Sequence, residues 1–336
     1  MNKLRKIGVS ALAGTLVAFS ANAADWNVSG SAGFELNTGN EKNASTWYQY
    51  DSVKITASGQ TESGINVSAM FELDGNSGDK GFNPTSSTTS SSFDDQMVSF
   101  GTDTLGTLQF WGHGGSTALG AYDDVTPKAY EEVWDIGTSA DANKIDGGGT
   151  QDMLFYTSPT ISGVTLTASY TTETNGSATG PSDAGTGQYN DWGLKIAPEM
   201  VEGLTLYYAQ GTNETSATAE DDLSTYAVTY AYGPVTVGYQ KSELDRSGST
   251  NDDESESMSI AYAVNENLSI SYGTREYDED TSSDADGKKT QEDTGFAVSY
   301  TMGGVSIVAQ QNSHDNVQGT DADDIESYAL GISFAF

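Results

Sequence analysis

The chain has 336 residues, 48 acidic and 14 basic, with no cysteine, six prolines and a mean hydropathy of −0.45. Three of the basic residues fall within the first 23. The remainder carries 11 basic against 48 acidic residues, a net charge of −37 that repels phosphate backbones and disfavours nucleic-acid binding outright. Abundant Gly, Ser, Thr and Tyr with little Pro favour strands and turns, and without cysteine the fold must close by hydrogen bonding and burial rather than by disulfides.

Lys3, Arg5 and Lys6 precede an apolar stretch from Ile7 to Phe19, and Ala21-Asn22-Ala23 follows with small residues at the first and third positions. This is the layout of a secretory signal cleaved after Ala23, with the mature chain starting at Ala24. The apolar run is shorter than the roughly 20 residues that a spanning helix needs. No later run is long enough either, and the low hydropathy would also suit a secreted or periplasmic domain. A transmembrane barrel shows lipid only every second residue, so its average hydropathy is low by construction and the pattern has to decide.

Period-2 alternation runs through most of the remaining sequence. Trp26 and Val28 open it, followed by Val53 and Ile55 around Lys54, then by Ile65, Val67, Ala69, Phe71 and Leu73. Val164, Leu166, Ala168 and Tyr170 continue it, as do Leu194 with Ile196, Tyr226 to Tyr232, Val235 with Val237, Met258 to Val264, Leu268 to Tyr272, and Ile307. Helical spacing is absent apart from a turn or two in 115–136. Tight connections fall at 62–64, 103–106, 159–163, 198–203, 233–234, 265–267 and 302–304. Long acidic ones fall near 37–46, 75–93, 112–150, 173–190, 211–222, 243–256, 277–293 and 312–324. Seven turns interleaved with eight loops predict an all-β, up-and-down transmembrane antiparallel barrel of about 16 strands over residues 24–336. A soluble sandwich rarely segregates long and short connections this way.

In the same phase, Glu35, Lys54, Glu72, Lys195 and Arg275 face the lumen, since a Lys turned to lipid at the midplane costs about 2–4 kcal/mol. Trp47, Trp192, Tyr208, Tyr239 and Tyr300 are candidates for interfacial girdles. The last strand places Tyr328, Leu330, Ile332, Phe334 and the final Phe336 at alternate positions, without the charge or proline that blunts a soluble edge. It resembles the recognition signal for the outer-membrane barrel assembly machinery.

The signal, the opening strand Asp25-Trp26-Asn27-Val28-Ser29-Gly30, the hairpin Thr61-Glu62-Ser63-Gly64 and the terminal Phe336 together resemble the Gram-negative general porins, with the alphaproteobacterial type nearest. The resemblance implies a 16-stranded trimer in the outer membrane, among its lipids and lipopolysaccharide, whose third outer loop folds inward and narrows a pore for small hydrophilic solutes. Here 112–150 is the third and longest loop, and Asp123, Asp124, Glu131, Glu132 and Asp135 become the candidate constriction. Carboxylates focused in a narrow pore favour cations. One departure sharpens this expectation. The family usually sets a cluster of arginines opposite the loop, whereas this chain has only Arg246 and Arg275 after the signal, and Tyr50 and Ser52 stand beside Lys54.

Two alternatives remain open. One is a sugar-preferring channel of the same fold, using Tyr122, Tyr130 and Trp134 as a stacking path. The other is a non-conducting adhesin or structural barrel. No enzyme or cofactor is expected, because His113 and His314 lie in no nucleophile-elbow or zinc-binding spacing. Asp284, Asp286 and Asp293 loosely resemble a calcium loop that lacks its first Asp and its final Glu, so bridging of loop carboxylates by Ca2+ or Mg2+ stays open beside plain solvation.

Overall fold

A computed structural model describes residues 25–38, 45–74, 93–136, 145–148, 151–171, 188–216, 219–247, 252–279, 289–320 and 324–336. The expected signal cleavage site at Ala21 and Ala23, and Asp284 and Asp286 of the calcium-loop motif, lie outside these residues. Sixteen antiparallel strands make one closed barrel in strict sequence order. They are β1 (Asp25–Thr38), β2 (Ser45–Gln60), β3 (Asn66–Asp74), β4 (Gln96–Thr102), β5 (Gly106–His113), β6 (Met153–Thr157), β7 (Val164–Thr171) and β8 (Tyr189–Ile196). The circuit continues with β9 (Leu204–Ser216), β10 (Ala219–Tyr232), β11 (Val235–Asp245), β12 (Asp253–Ala263), β13 (Leu268–Glu279), β14 (Gln291–Met302), β15 (Val305–Asp315) and β16 (Ile325–Ala335). Among the described residues the one helical piece is the 3-10 turn Val317–Gly319; the segment 115–136 forms bends and turns.

Closure takes place between the two ends of the chain. β1 and β16 pair from Ser31↔Ala335 to Asn37↔Ala329, and Gly30 and Phe336 exchange two main-chain hydrogen bonds of 2.9 Å each. This matters because lipid offers no partner to an unpaired strand edge, and closure removes both edges at once. The alternation then sorts the wall. In register, Val28 faces Ile55 and Ile55 faces Phe71, so these side chains share the outer face while Lys54 and Glu72 share the inner one. The expected lipid-facing set lies in the same outer phase, as do Tyr328, Leu330, Ile332, Phe334 and Phe336 of the closing strand.

The expected long loop at 211–222 is instead a strand hairpin. β9 runs to Ser216 and β10 starts at Ala219, with a register shift between Ala219 and Glu220. Beyond the membrane both faces of a strand meet water, so apolar alternation fades there although main-chain pairing continues. β4, β5 and β6, by contrast, are only seven, eight and five residues long, and the third loop leaves the wall between the last two.

Candidate functional site: the inward third loop

Lumen-facing side chains hold the third loop to the wall by binding its main chain. Asp191 on β8 accepts from the Leu119 amide at 2.6 Å, and also from Ser169 and the Tyr189 hydroxyl. Gln240 on β11 acts as a two-sided clamp. Its Oε1 accepts from the Val125 amide at 3.1 Å, and its Nε2 donates to the Tyr122 carbonyl at 2.9 Å. Ser259 on β12 donates to the Pro127 carbonyl at 2.7 Å, and Ser271 on β13 accepts from the Ala129 amide at 2.8 Å. Gln310 on β15 repeats the clamp, accepting from the Glu131 amide at 3.0 Å and donating to the Glu132 carbonyl at 2.9 Å. A buried loop must satisfy its amides and carbonyls, and here the wall supplies the partners that water would otherwise provide.

The wall also makes room. A Cβ on Gly193 would lie 2.6 Å from the Tyr122 ring, and one on Gly238 would lie 2.4 Å from Pro127 Cδ. These glycines mark the track along which the loop lies against bare backbone. An apolar cluster of Leu119, Tyr122, Ile145, Tyr189, Leu223, Leu244 and Tyr277 seals the loop to β8–β13. The polar contacts then continue to β1, where the Tyr130 hydroxyl donates to Glu35. The loop thus covers the inside of the wall from β7 round to β1, and the open lumen lies between it and β2–β5.

The five candidate constriction acids separate within this arrangement. Asp124 and Asp135 are exposed to the lumen, and Asp123 and Glu131 are half-buried. Glu132 is a correction: only 4% exposed, it is ion-paired with Lys128 four positions earlier, and its carboxylate lies within 4.8 Å of those of Glu131 and Asp135. Burial pushes the Asp123 carboxyl up to about 10, and Asp124 and Asp146 add to the rise. Enclosure within the barrel also desolvates Asp124, Glu131 and Asp135 and raises them, against the pull of Lys128 on all three and of Arg275 on the two aspartates.

The five candidate wall residues separate in the same way. Lys54 remains 43% exposed and forms an ion pair of 3.0 Å with Glu72, which also accepts from Ser52. Lys195 is exposed, with its ammonium 5.8 Å from the centre of the Tyr207 ring. Glu35 has the expected phase but lies buried beneath the loop at Tyr130. Arg275 is the second correction. It points inward yet is 1% exposed, stacked on Trp134 at 4.8 Å and Tyr277 at 5.1 Å and paired with Asp293 at 2.6 Å. Trp134 on the loop separates it from the pore water. Asp293 is therefore committed to Arg275, which leaves the calcium-loop reading without a free carboxylate at that position. The other arginine, Arg246, grips Asp253 with two bonds of 2.8 and 2.6 Å near the outer rim.

Sequence reasoning missed the wall partners, namely Gln240, Gln310, Asp191, His314 and Ser327. The available signal was their lumen phase: large polar side chains and glycines at inward positions in mid-strand mark contact with something other than bulk water. The uncovered wall adds acids of its own. Asp95 lies 3.7 Å from His113, and burial with Asp94 and Glu72 nearby raises its carboxyl. At the turn-side mouth a cavity of about 490 Å3 is lined chiefly by neutral Ser58, Gln60, Asn66, Ser68, Ser99 and Thr107.

His314 demands a chemical test, because its Nδ1 lies 2.7 Å from Asp293 and its Nε2 3.1 Å from the Ser327 hydroxyl. By residue type this is a hydrolase triad. However, Nε2 also faces the Ile136 carbonyl at 2.8 Å and Ser327 donates to the same carbonyl at 2.6 Å, while all three residues are wholly buried. A carbonyl only accepts, so Nε2 is a donor here and offers no base to the serine.

The family model described as Gram-negative porin matches residues 8–289 of the chain. No curated protein matches the full sequence closely. Among solved structures, a Rhodobacter porin is similar at 16% identity and a TM-score of 0.63, covering 93% of this chain and all of the other. The anion-selective porin from Comamonas acidovorans aligns at 13% identity and a TM-score of 0.65, covering 93% and 99%. A loop L8 deletion of OmpT, an outer membrane protein of Vibrio cholerae, aligns at 14% and 0.64, covering 94% and 100%. At these identities the structural likeness establishes the shared barrel.

Proposed function

Because the chain belongs to the Gram-negative porins, outer-membrane diffusion channels, we propose that it is a cation-selective one for small hydrophilic solutes. The observation that supports the selectivity is how the charges are distributed around the open lumen. Lys54, Lys128 and Arg275 are each answered by an acid, Arg275 is sealed from water as well, and Lys195 stands exposed beside the Tyr207 ring as a cation outnumbered by the lumen acids. Asp124 and Asp135 face the lumen from the loop, with Glu131 beside them and Asp94 and Asp95 on the uncovered wall. In a narrow, low-dielectric passage such one-sided charge raises the local concentration of cations. An anion-selective porin shares this fold, so the sign of selectivity belongs to side chains and not to the barrel.

Purified protein in a planar bilayer should give stepwise conductance, and a KCl gradient should produce a reversal potential of cation sign. An anion-signed potential would sink the selectivity reading, and a bilayer that stays silent would sink the channel. The sugar-path alternative loses its support from the rings: Tyr122 and Trp134 are buried against the wall and Tyr130 is bound to Glu35. We read the native assembly as a homotrimer exported by the signal ending at Ala23 and inserted through its aromatic closing strand. Divalent ions bridging loop carboxylates remain compatible with the outward acids.

A further inference from the structure

Arg275, Asp293, His314 and Ser327 form an unbroken polar chain across the lumen face of β13 to β16, and all four are at most 1% exposed. Arg275 Nε donates to Asp293 at 2.8 Å, the Asp293 carboxylate lies 2.7 Å from His314 Nδ1, His314 Nε2 lies 2.8 Å from the Ile136 carbonyl of the third loop, and Ser327 donates to that same carbonyl. The Arg275 guanidinium at the head of the chain faces the loop, where its charge acts on Asp124 and Asp135, and its carbon lies 4.8 Å from the centre of the Trp134 ring.

We propose that this chain is a latch in which His314 is a positioning residue for the third loop, fixing the pore's cross-section and holding Asp124 and Asp135 where they bias it toward cations. The inference rests on the channel reading above. Three features make a latch rather than mere core filling. It grips main chain, which a loop cannot move away without leaving a buried carbonyl unpaired. It acts at Ile136, seventeen positions beyond the Leu119 amide that Asp191 holds, so the loop is fastened at two well-separated points. Its Arg275 carries the charge opposite to that of the acids it positions, so retaining the loop and placing the carboxylates are coupled through one guanidinium.

The test compares single-channel steps and KCl reversal potentials of the unaltered protein, His314→Ala and Ser327→Ala. Loss of the latch should give larger, noisier steps and a loss of cation preference, fully in His314→Ala and partly in Ser327→Ala. A tether then separates positioning from stability. The chain has no cysteine, so Ala129→Cys with Ser271→Cys, at a contact of 2.8 Å, adds a single disulfide between loop and wall. Oxidation in the His314→Ala background should restore unaltered steps and selectivity, and reduction should remove them again. Unaltered behaviour of both single variants, or a tether without effect, would overturn the latch while leaving the channel intact. If His314→Ala fails to insert, Ser327→Ala, which deletes only a hydroxyl, decides the outcome alone. A silent unaltered protein would instead count against the channel itself.

Discussion

Gly238 sits where the third loop presses hardest on the wall, and its missing side chain is what allows that approach. Valine there would place Cβ 2.4 Å from Pro127 Cδ, and the proline cannot swing away because its carbonyl is held by Ser259 and the preceding segment by Gln240. Overpacking of this kind costs about 1–3 kcal/mol. Gly238→Val should therefore lower the thermal unfolding midpoint in detergent and alter the conductance step; an unchanged midpoint and step would show that the loop does not lie there. The carboxylates make a second prediction at this scale. Asp124, Glu131 and Asp135 have raised values because burial disfavours their ions. A raised acid binds its proton more tightly in the folded than in the unfolded protein, so its contribution to stability is full below the ordinary carboxylate range and is lost as pH rises through the raised value. Selectivity moves the opposite way, since each ionisation adds a negative charge to the eyelet. Cation preference should climb as pH rises above the ordinary carboxylate range, measured as reversal potential. Combined Asp124→Asn, Glu131→Gln and Asp135→Asn should flatten that profile, and a flat profile in the unaltered protein would place the acids outside the current path. Glu132→Gln should also lower cation preference, because it leaves the exposed Lys128 ammonium without the acid that answers it.

Among the elements, the strands were legible where lipid touches one face and water the other, because only there does the pattern have two distinct solvents to report. Val28, Ile55 and Phe71 showed this in the sequence and share the outer face in the structure. The same rule explains what stayed hidden. At 211–222 both faces of β9 and β10 are wet, so Thr212, Glu214 and Asp222 read as loop although their main chains pair. The inward phase of Arg275 was readable, but its burial depends on Trp134 arriving from a loop 140 positions away in sequence, and no local pattern carries that information. The loop's acids were legible as a cluster, and three of them, Glu131, Glu132 and Asp135, do converge, whereas the burial of Glu132 beside half-buried Glu131 carries no local signal. β16 was the most readable element, since each outward position from Tyr328 to Phe336 is aromatic or aliphatic. Its register makes a sharp prediction. Phe336 exchanges both of its main-chain bonds with Gly30, so deleting it removes the last rung of the closure. The truncated chain should reach the outer membrane at several-fold lower yield by heat-modifiable gel mobility. Undiminished yield would mean that recognition and closure begin further inside the strand.

At the scale of the whole molecule the barrel is lopsided, and the lopsidedness constrains how it sits in a membrane. β10 has 14 residues, but β4 to β8 have seven, eight, five, eight and eight. At roughly 3.3 Å per residue and a tilt near 45°, five to eight residues rise only about 12–19 Å, short of the apolar band of about 25 Å that an outer-membrane barrel presents. The outer face changes over the first part of this arc. Tyr208, Tyr226, Tyr239 and Tyr272 ring the tall wall and Trp192 stands on β8, whereas from β3 to β6 the outward tyrosines and tryptophans thin to Tyr156 among the described residues. A low wall with sparse interfacial rings is poorly matched to lipid on both counts, and a neighbouring protein would supply the height and the interface that it lacks. That arc is where a second copy should dock. The surface of Ala69, Phe71, Val98, Phe100, Leu108 and Phe110 is wholly apolar and can pack against another barrel, and the third loop departs just behind it, so docking and constriction would share one stretch of wall. Replacing Val98 and Leu108 by arginine should therefore leave the closed barrel intact, because both point outward, yet release monomers. Light scattering in detergent should then report the trimer for the unaltered chain and one barrel per micelle for the variant. If the unaltered chain is itself a monomer, or if arginines at Val237 and Ile260 on the tall side disperse it equally well, the low wall is not the interface.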